Sequence, residues 1–219
     1  QDLGTHLERT RRLKDGDSLS EITRYLCRAW DIKPTILPMS DQSVRTIVDT
    51  DEGELAFQEY FVHRRCEPRV KGFRFDGTDQ AEPAPGAREA IESADAIVIC
   101  PSNPWVSIDP ILKVFSNQER GLGEGKKVIA VSPIIGGETV KGPAAKMYRE
   151  LGLEPSALAV ANHYRGLVTH FVMDAIDAQL IESVRGLNMQ VHVTKTVMKS
   201  HEDRKLLAED TLNCIGSDL

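Results

Sequence analysis

Residues 96–104 read AIVICPSNP, and residues 128–137 read VIAVSPIIGG. Each stretch opens with a continuous apolar run and turns abruptly into a loop of proline, serine, asparagine or glycine. Continuous apolar runs are typical of strands that are covered on both faces, as in parallel sheets. Helical patterns follow the two loops, at residues 110–115 and 143–151. The alternation predicts an α/β fold with a Rossmann-like, mostly parallel sheet and helices on both faces.

The rest of the second half continues this pattern. We expect strands at residues 170–173 and 190–193, and helices at residues 87–94, 157–167 and 178–184. A last helix is expected to turn Ala208, Leu212 and Ile215 to one face.

Two capping boxes predict helices near the N-terminus. The first, Thr5–Glu8, predicts a helix from about residue 6 to 13. The second, Ser18–Glu21, predicts a helix with one apolar face that Pro34 ends. Residues 35–38 are then interpreted as a short buried strand.

A β-rich insertion is predicted at residues 44–75. Two strand-like runs, residues 44–49 and 55–61, flank the turn residues Asp51, Glu52 and Gly53, and so predict a hairpin. A third strand is expected at residues 70–75. We expect the insertion to belong to a single domain that covers residues 1–219.

Composition narrows the functional class. The 219 residues are 41% apolar and 27% charged, and the formal net charge is −6. An acidic balance argues against nucleic acid or a membrane surface as the partner. Four widely spaced cysteines predict reduced thiols and a cytoplasmic location. A homodimer is expected because symmetric dimers are common.

The loop after the first apolar strand is a candidate nucleotide site. Ligands of open parallel sheets bind beyond the carboxyl ends of the strands. Ser102 and Asn103 stand there between Pro101 and Pro104, and the prolines stiffen the loop. Such a loop can present polar groups to the phosphates or base of a nucleotide. The alternative is an ordinary turn stabilised by local hydrogen bonds.

The loop after the second apolar strand is the other candidate. Ser132 and Pro133 lead to Gly136 and Gly137, where the backbone can approach a ligand closely. Lys141 adds a positive charge before the next helix. The alternative is again a plain connection, because the loop matches neither the Walker phosphate loop nor the dinucleotide glycine pattern.

Metal-ligand patterns are weak in this sequence. The six histidines show no metal-like pairing. Asp174 and Asp177 could bind a metal, but Asp177 is expected to cap the helix that follows it. No residue stands out as a catalytic nucleophile.

Several segments, taken in chain order, resemble the 2-phospho-L-lactate transferase (CofD) family. The resemblance covers nearly the whole chain, and several ordered motifs are more specific than any single one. The segments are residues 36–41, 101–104, 107–108, 110–112, 130–136, 142–146, 160–161 with Tyr164, and 171–174 with Asp177, together with Asp2, Thr5 and His6.

The resemblance implies a reaction. A guanosine diphosphate ester of 2-phospholactate, or its enolpyruvyl analogue, would be the donor. The deazaflavin Fo would accept the group on its ribityl hydroxyl, GMP would leave, and the product would belong to coenzyme F-420 biosynthesis. The resemblance also implies Mg²⁺ as cofactor, a nucleotide site in the two loops, and a substrate-binding role for Asp2, Thr5 and His6.

One departure from the family pattern bears on activity. Members of the family open with a strand, a glycine-rich phosphate loop and an aspartate-containing segment, which are not in this sequence. We therefore expect that the N-terminal third is missing, that the metal ligands lie there, and that this chain alone is poorly active. An exposed sheet edge would also favour aggregation.

Two other functions fit the same fold class. One is a non-catalytic regulator that binds nucleotide sugars. A preference for UDP-sugars over GDP would favour this function. The other is a Rossmann-like oxidoreductase, which the missing glycine pattern disfavours.

Overall fold

The computed structural model describes residues 2–116, 123, 125–140 and 142–216. Its strands are β1 (Arg45–Thr50), β2 (Gly53–Ala56), β3 (Val70–Asp76), β4 (Ala96–Ile99), β5 (Lys127–Val131), β6 (Ile134–Ile135), β7 (Glu138–Thr139), β8 (His170–Asp174) and β9 (Gln190–Thr194). Its α-helices are α1 (Asp2–Asp15), α2 (Leu19–Ala29), α3 (Ala87–Ser93), α4 (Asp109–Ser116), α5 (Ala144–Glu150), α6 (Ala157–His163), α7 (Ile181–Arg185) and α8 (His201–Gly216).

A parallel sheet of order β4-β5-β8-β9 forms the centre of the fold. Side chains alternate along β5, so that Val128 and Ala130 pack with α5, α6 and α7 on one face. Ile129 and Val131 point to the other face, where α8 covers them. The predicted α/β fold with helices on both faces is therefore confirmed.

The face that α8 buries differs from the predicted one. Leu207, Thr211 and Cys214 are buried, whereas Leu212 is exposed. Leu207 and Cys214 pack with Ile129, Val131 and Val172 of β5 and β8, and Ile215 of the predicted face packs against that cluster. Thr211 tolerates this burial since its hydroxyl donates to the Leu207 carbonyl oxygen at 2.7 Å.

The two N-terminal helices form, with different ends. The box at Ser18 is confirmed, because Ser18 Oγ accepts from the Glu21 amide and the Glu21 carboxylate accepts from the Ser18 amide. The box at Thr5 is wrong, because α1 already begins at Asp2 and Thr5 lies inside it. Helix α2 ends at Ala29, before Pro34 is reached.

The strand predicted at residues 35–38 is also wrong. Thr35 and Ile36 are exposed, and residues 31–44 form no strand. An apolar run of this length becomes a strand only when another strand lies beside it and accepts its backbone hydrogen bonds, which does not happen here.

The β-rich segment is a three-stranded antiparallel sheet of order β2-β1-β3. The predicted hairpin and third strand are thus confirmed, although the second arm is shorter. After β2 the chain enters a π-helical turn, Glu59–His63, which buries Tyr60. Tyr60 packs with Val48, Val70 and Met147, and so joins this sheet to α5.

Candidate functional site

A cleft of about 270 Å³ opens at the carboxyl ends of the parallel strands. The loops after β4, β5 and β9 and the start of α8 form its walls. Its lining residues are Pro101, Ser132, Pro133, Ile135, Val140, Thr196, Val197, Met198 and Arg204. Of the residues predicted for the nucleotide site, Ser132 and Pro133 therefore line the cleft directly.

The loop after β5 is fixed by its own hydrogen bonds. The buried Ser132 hydroxyl donates to the Ile134 carbonyl oxygen at 2.8 Å and accepts from the Ile134 amide at 3.2 Å. The Gly136 amide donates to both carboxylate oxygens of Asp177 at 3.1 Å. This amide thus points at Asp177. Lys141 lies outside the described residues.

Two aspartates after β8 hold the loops around the cleft. Asp174 caps the 3₁₀ turn Ala175–Leu180 by accepting from the Ile176 amide, and it also accepts from the Thr196 amide and hydroxyl. Asp177, predicted to be the cap, is instead buried against Gly136. The predicted cap is therefore wrong: Asp174 caps this turn, and Asp177 anchors the loop after β5.

The surroundings shift the pKa of these carboxyls in opposite directions. Burial raises the pKa of Asp177, the Gly136 amide opposes the rise, and the charge of Asp174 adds to it. Burial also acts to raise the pKa of Asp174, but the hydrogen bonds from Thr196 and Ile176 outweigh it, and the net pKa is lowered.

Stability should depend on pH through Asp174. Since its pKa is lower in the folded chain than in the unfolded chain, its contribution is present above the unfolded pKa of about 3.9 and is lost as pH falls through the folded pKa. Asp174→Asn should lower the free energy of unfolding by about 2 kcal/mol at pH 7, with a smaller difference at pH 3. Urea unfolding at both pH values measures this, with Asp95→Asn as an exposed control. Equal losses at both pH values would contradict it.

The loop after β4 is also fixed internally. Asn103 Oδ1 accepts from the amides of Trp105 and Val106 at 3.1 and 3.4 Å, and so caps the π-helical turn Pro104–Ile108. Its Nδ2 donates to Met147 Sδ at 3.1 Å. Both ends of this side chain are thus engaged within the protein. The half-buried Ser102 has no side-chain hydrogen bond to the described part of the chain.

Two substitutions measure how much the Asn103 cap contributes to stability, independently of any contact with a ligand. Asn103→Ala should destabilise the chain by about 1 kcal/mol, because two amides lose their acceptor. Asn103→Asp keeps the acceptor at the cap and loses only the donor to Met147 Sδ, so it should cost less than Asn103→Ala. Denaturant unfolding of both variants measures this. Equal destabilisation by the two substitutions would show that the acceptor is not what matters.

The three predicted substrate-binding residues Asp2, Thr5 and His6 lie on α1, which buries none of its side chains. They are not among the residues that line the cleft. The His6 ring lies beside Arg9, at 3.1 Å.

Sequence reasoning missed Arg204. It is the cation in the lining of the cleft, and no described residue forms an ion pair with it, whereas its neighbour Lys205 approaches Glu209 at 3.8 Å. The run His201–Lys205 is rich in charge and looks like an ordinary solvated helix face. The usable signal was topological, because a chain leaving β9 must emerge at the same sheet edge as the two predicted loops.

The described residues offer no preformed cage of protein ligands for a magnesium ion. They contain no group of three or more His, Cys, Asp or Glu side chains placed to hold a metal. Asp174 and Asp177 direct their oxygens at backbone amides and Thr196.

In the described part of the chain, no helix has the length and apolarity needed to cross a membrane.

Comparison of folds finds a solved member of the UPF0052 family from Bacillus halodurans, with a TM-score of 0.61 and 14% sequence identity. The match covers 89% of this chain and 67% of that one, and it shows a shared fold.

Sequence comparison gives closer relatives. The chain is 39% identical to a 2-phospho-L-lactate transferase of Methanosarcina mazei over 95% of its own length and 68% of the relative's. It is 38% identical to a phosphoenolpyruvate transferase of Streptomyces griseus over 97% of its length and 68% of the relative's. For the 2-phospho-L-lactate transferase of Methanopyrus kandleri, at 38% identity, the shares are 96% and 66%.

The chain therefore spans about two thirds of the length of these relatives. The family model described as 2-phospho-L-lactate transferase CofD matches residues 1–218. The resemblance found from the motifs is confirmed, and the chain belongs to the 2-phospho-L-lactate transferase (CofD) family of transferases.

Proposed function

We propose that this protein transfers a 2-phospholactyl or phosphoenolpyruvyl group from its guanosine diphosphate ester to the deazaflavin Fo, in coenzyme F-420 biosynthesis. The terminal ribityl oxygen of Fo attacks the phosphorus that bears the lactyl or enolpyruvyl group. The bond from that phosphorus to the oxygen of the GMP phosphate breaks, GMP leaves, and the ribityl proton is released. The relatives include a 2-phospho-L-lactate transferase and a phosphoenolpyruvate transferase, and this supports retaining both donors in the proposal.

The observation that carries this proposal is the cleft with Arg204 in its wall, in a member of this family. Transfer of a phosphoryl group requires positioning and neutralisation of charge more than covalent chemistry by the protein. A guanidinium suits this task because its planar donors can contact two phosphate oxygens at once. We assign the diphosphate to the Arg204 side of the cleft.

The two loops would form the opposite wall of the donor site. Ser132 and Pro133 face the cleft, and Ser102 has a hydroxyl that could donate to the nucleotide. Asn103 and Gly136 would act indirectly, by holding their loops in shape. The requirement for Mg²⁺ stays a prediction, to be tested by comparing activity with the metal and with a chelator.

Nucleotide preference tests the donor site directly. Calorimetry should show GDP binding to this chain in the micromolar to low millimolar range, about −4 to −8 kcal/mol. UDP and a UDP-sugar serve as matched ligands with the same diphosphate and another base. Tighter binding of the UDP-sugar than of GDP would favour the non-catalytic nucleotide-sugar regulator over the transferase.

A further inference from the structure

Asp109 and His163 form a pair behind the loop that follows β4. Asp109 is the first residue of α4 and comes directly after the π-helical turn Pro104–Ile108. His163 is the last residue of α6, and its Nε2 lies 2.7 Å from Asp109 Oδ1. The side chains are only 25% and 19% exposed. The contact therefore ties the far end of this loop to a helix of the main layer.

Aromatic rings pack against the His163 side of the pair. The His163 ring meets Trp105 edge-on at 5.7 Å and Tyr164 at 5.2 Å. Trp105 in turn contacts Tyr148, with ring centroids 4.1 Å apart. The pair is thus partly shielded from water, and a hydrogen bond to a carboxyl group is stronger in such surroundings than at the surface.

Two buried tyrosine hydroxyls show how strongly this layer excludes solvent. The hydroxyls of Tyr148 and Tyr164 have no hydrogen-bond partner among the described residues. Burial raises the pKa of both phenols, and the nearby charge of Asp109 raises it further. The carboxylate therefore acts on this interior, and His163 is the side chain that bonds it.

Besides the pair, Asn103 Nδ2 donates to Met147 Sδ and Trp105 packs against Tyr148, so α5 also contacts the loop. The amides of Trp105, Val106 and Ser107 all bond to Asn103, which belongs to the same segment. Those bonds shape the turn but do not fix its place relative to the sheet. Pro101, at the near end of the loop, lines the cleft. One end of this segment thus lies in the cleft wall, and the other end is held by His163.

We propose that Asp109 and His163 are positioning residues, which hold the segment 101–108 in the geometry that binds the guanosine diphosphate donor. The proposal rests on the function proposed above for the cleft. The pair is not among the residues that line the cleft, so it acts through the loop without touching the donor.

His163→Ala tests this pair, with two milder variants beside it. His163→Gln keeps a donor and Asp109→Asn keeps an acceptor, so both should fold even where alanine does not. The control is His63→Ala, because His63 faces Glu59 at 4.0 Å on the exposed surface and such pairs contribute little.

Two readouts that need no turnover come first. Amide hydrogen exchange in a peptide covering residues 101–109 should become about 10-fold faster in His163→Ala, with partial rescue in His163→Gln. GDP affinity should fall about 5- to 10-fold, which corresponds to loss of one hydrogen bond in the folded loop. The control should match the unaltered chain in both.

Steady-state kinetics separates positioning from general damage. His163→Ala should raise the KM for the donor and leave both kcat and the KM for Fo within about twofold. This is expected when the lost interaction stabilises the bound donor and the transition state equally. Unchanged exchange and unchanged GDP affinity in folded variants would overturn the proposal. If the unaltered chain binds no GDP, the proposed function fails, and with it the link to the donor. The exchange data alone then decide whether the pair anchors the loop.

Discussion

Replacing Arg204 with alanine is expected to weaken GDP binding about 30- to 100-fold, the loss of a bidentate charge-assisted contact worth about 2 to 2.7 kcal/mol. No described residue forms an ion pair with this guanidinium in the cleft, so its removal leaves no buried partner behind. The free energy of unfolding should therefore change by less than about 0.5 kcal/mol. Calorimetry and urea unfolding measure the two effects separately.

The adjacent Lys205→Ala provides the control for Arg204. Lys205 carries the same charge on the same helix but lies beside Glu209, outside the cleft lining. It should alter GDP affinity by less than about twofold. Arg204→Lys should fall between the two, because an ammonium keeps the charge and loses the fork geometry. Equal effects of the Arg204 and Lys205 alanine variants would remove Arg204 from the proposed site.

Gly77→Ala should cause a large loss of stability, about 3 kcal/mol or more. Gly77 has φ = +92°, and an added Cβ would lie 2.4 Å from the Ser43 carbonyl oxygen. The substitution therefore adds a backbone clash to left-handed strain at the point where the chain leaves β3.

Substitutions at two other glycines separate the effect of the clash from the effect of backbone strain. Gly53 has φ = +109° with open space around the Cβ position, so Gly53→Ala should cost about 1 kcal/mol from strain alone. Gly72, inside β3, has neither strain nor a near neighbour, and Gly72→Ala should be neutral or slightly stabilising. Denaturant unfolding of the three variants should rank them in that order, and a Gly77→Ala variant as stable as Gly72→Ala would contradict the structure here.

The parallel sheet was predictable because its signals are local. The apolar runs that become β4 and β5, with their loops and following helices, need only neighbouring residues for their interpretation. The capping box at Ser18 is local for the same reason, since both of its hydrogen bonds join residues three apart.

The failures share a dependence on distant partners. Residues 35–38 are apolar but find no strand to pair with. The buried face of α8 depends on how closely Thr211 and Cys214 fit against the sheet. The contacts of Asp174 and Asp177 depend on Thr196 and Gly136, which are far away in sequence.

The candidate site also has features that could be predicted from local sequence and features that could not. Its place at the strand ends follows from topology, and two residues of the predicted nucleotide site, Ser132 and Pro133, line the cleft there. Arg204 could not be found from its charge, because charged residues surround it in the sequence. The pair of Asp109 and His163, 54 residues apart, becomes visible only when α4 and α6 are packed.

A turnover assay tests the proposed transfer most directly. The protein expressed from its full reading frame is incubated with Fo, Mg²⁺ and either lactyl- or enolpyruvyl-diphosphoguanosine, and the products are followed by mass spectrometry. We expect GMP and the phosphodiester of Fo to appear in equal amounts, only when Fo is present, and far more slowly with Arg204→Ala. Neither product forming from either donor, while a UDP-sugar binds more tightly than GDP, would contradict the transferase function.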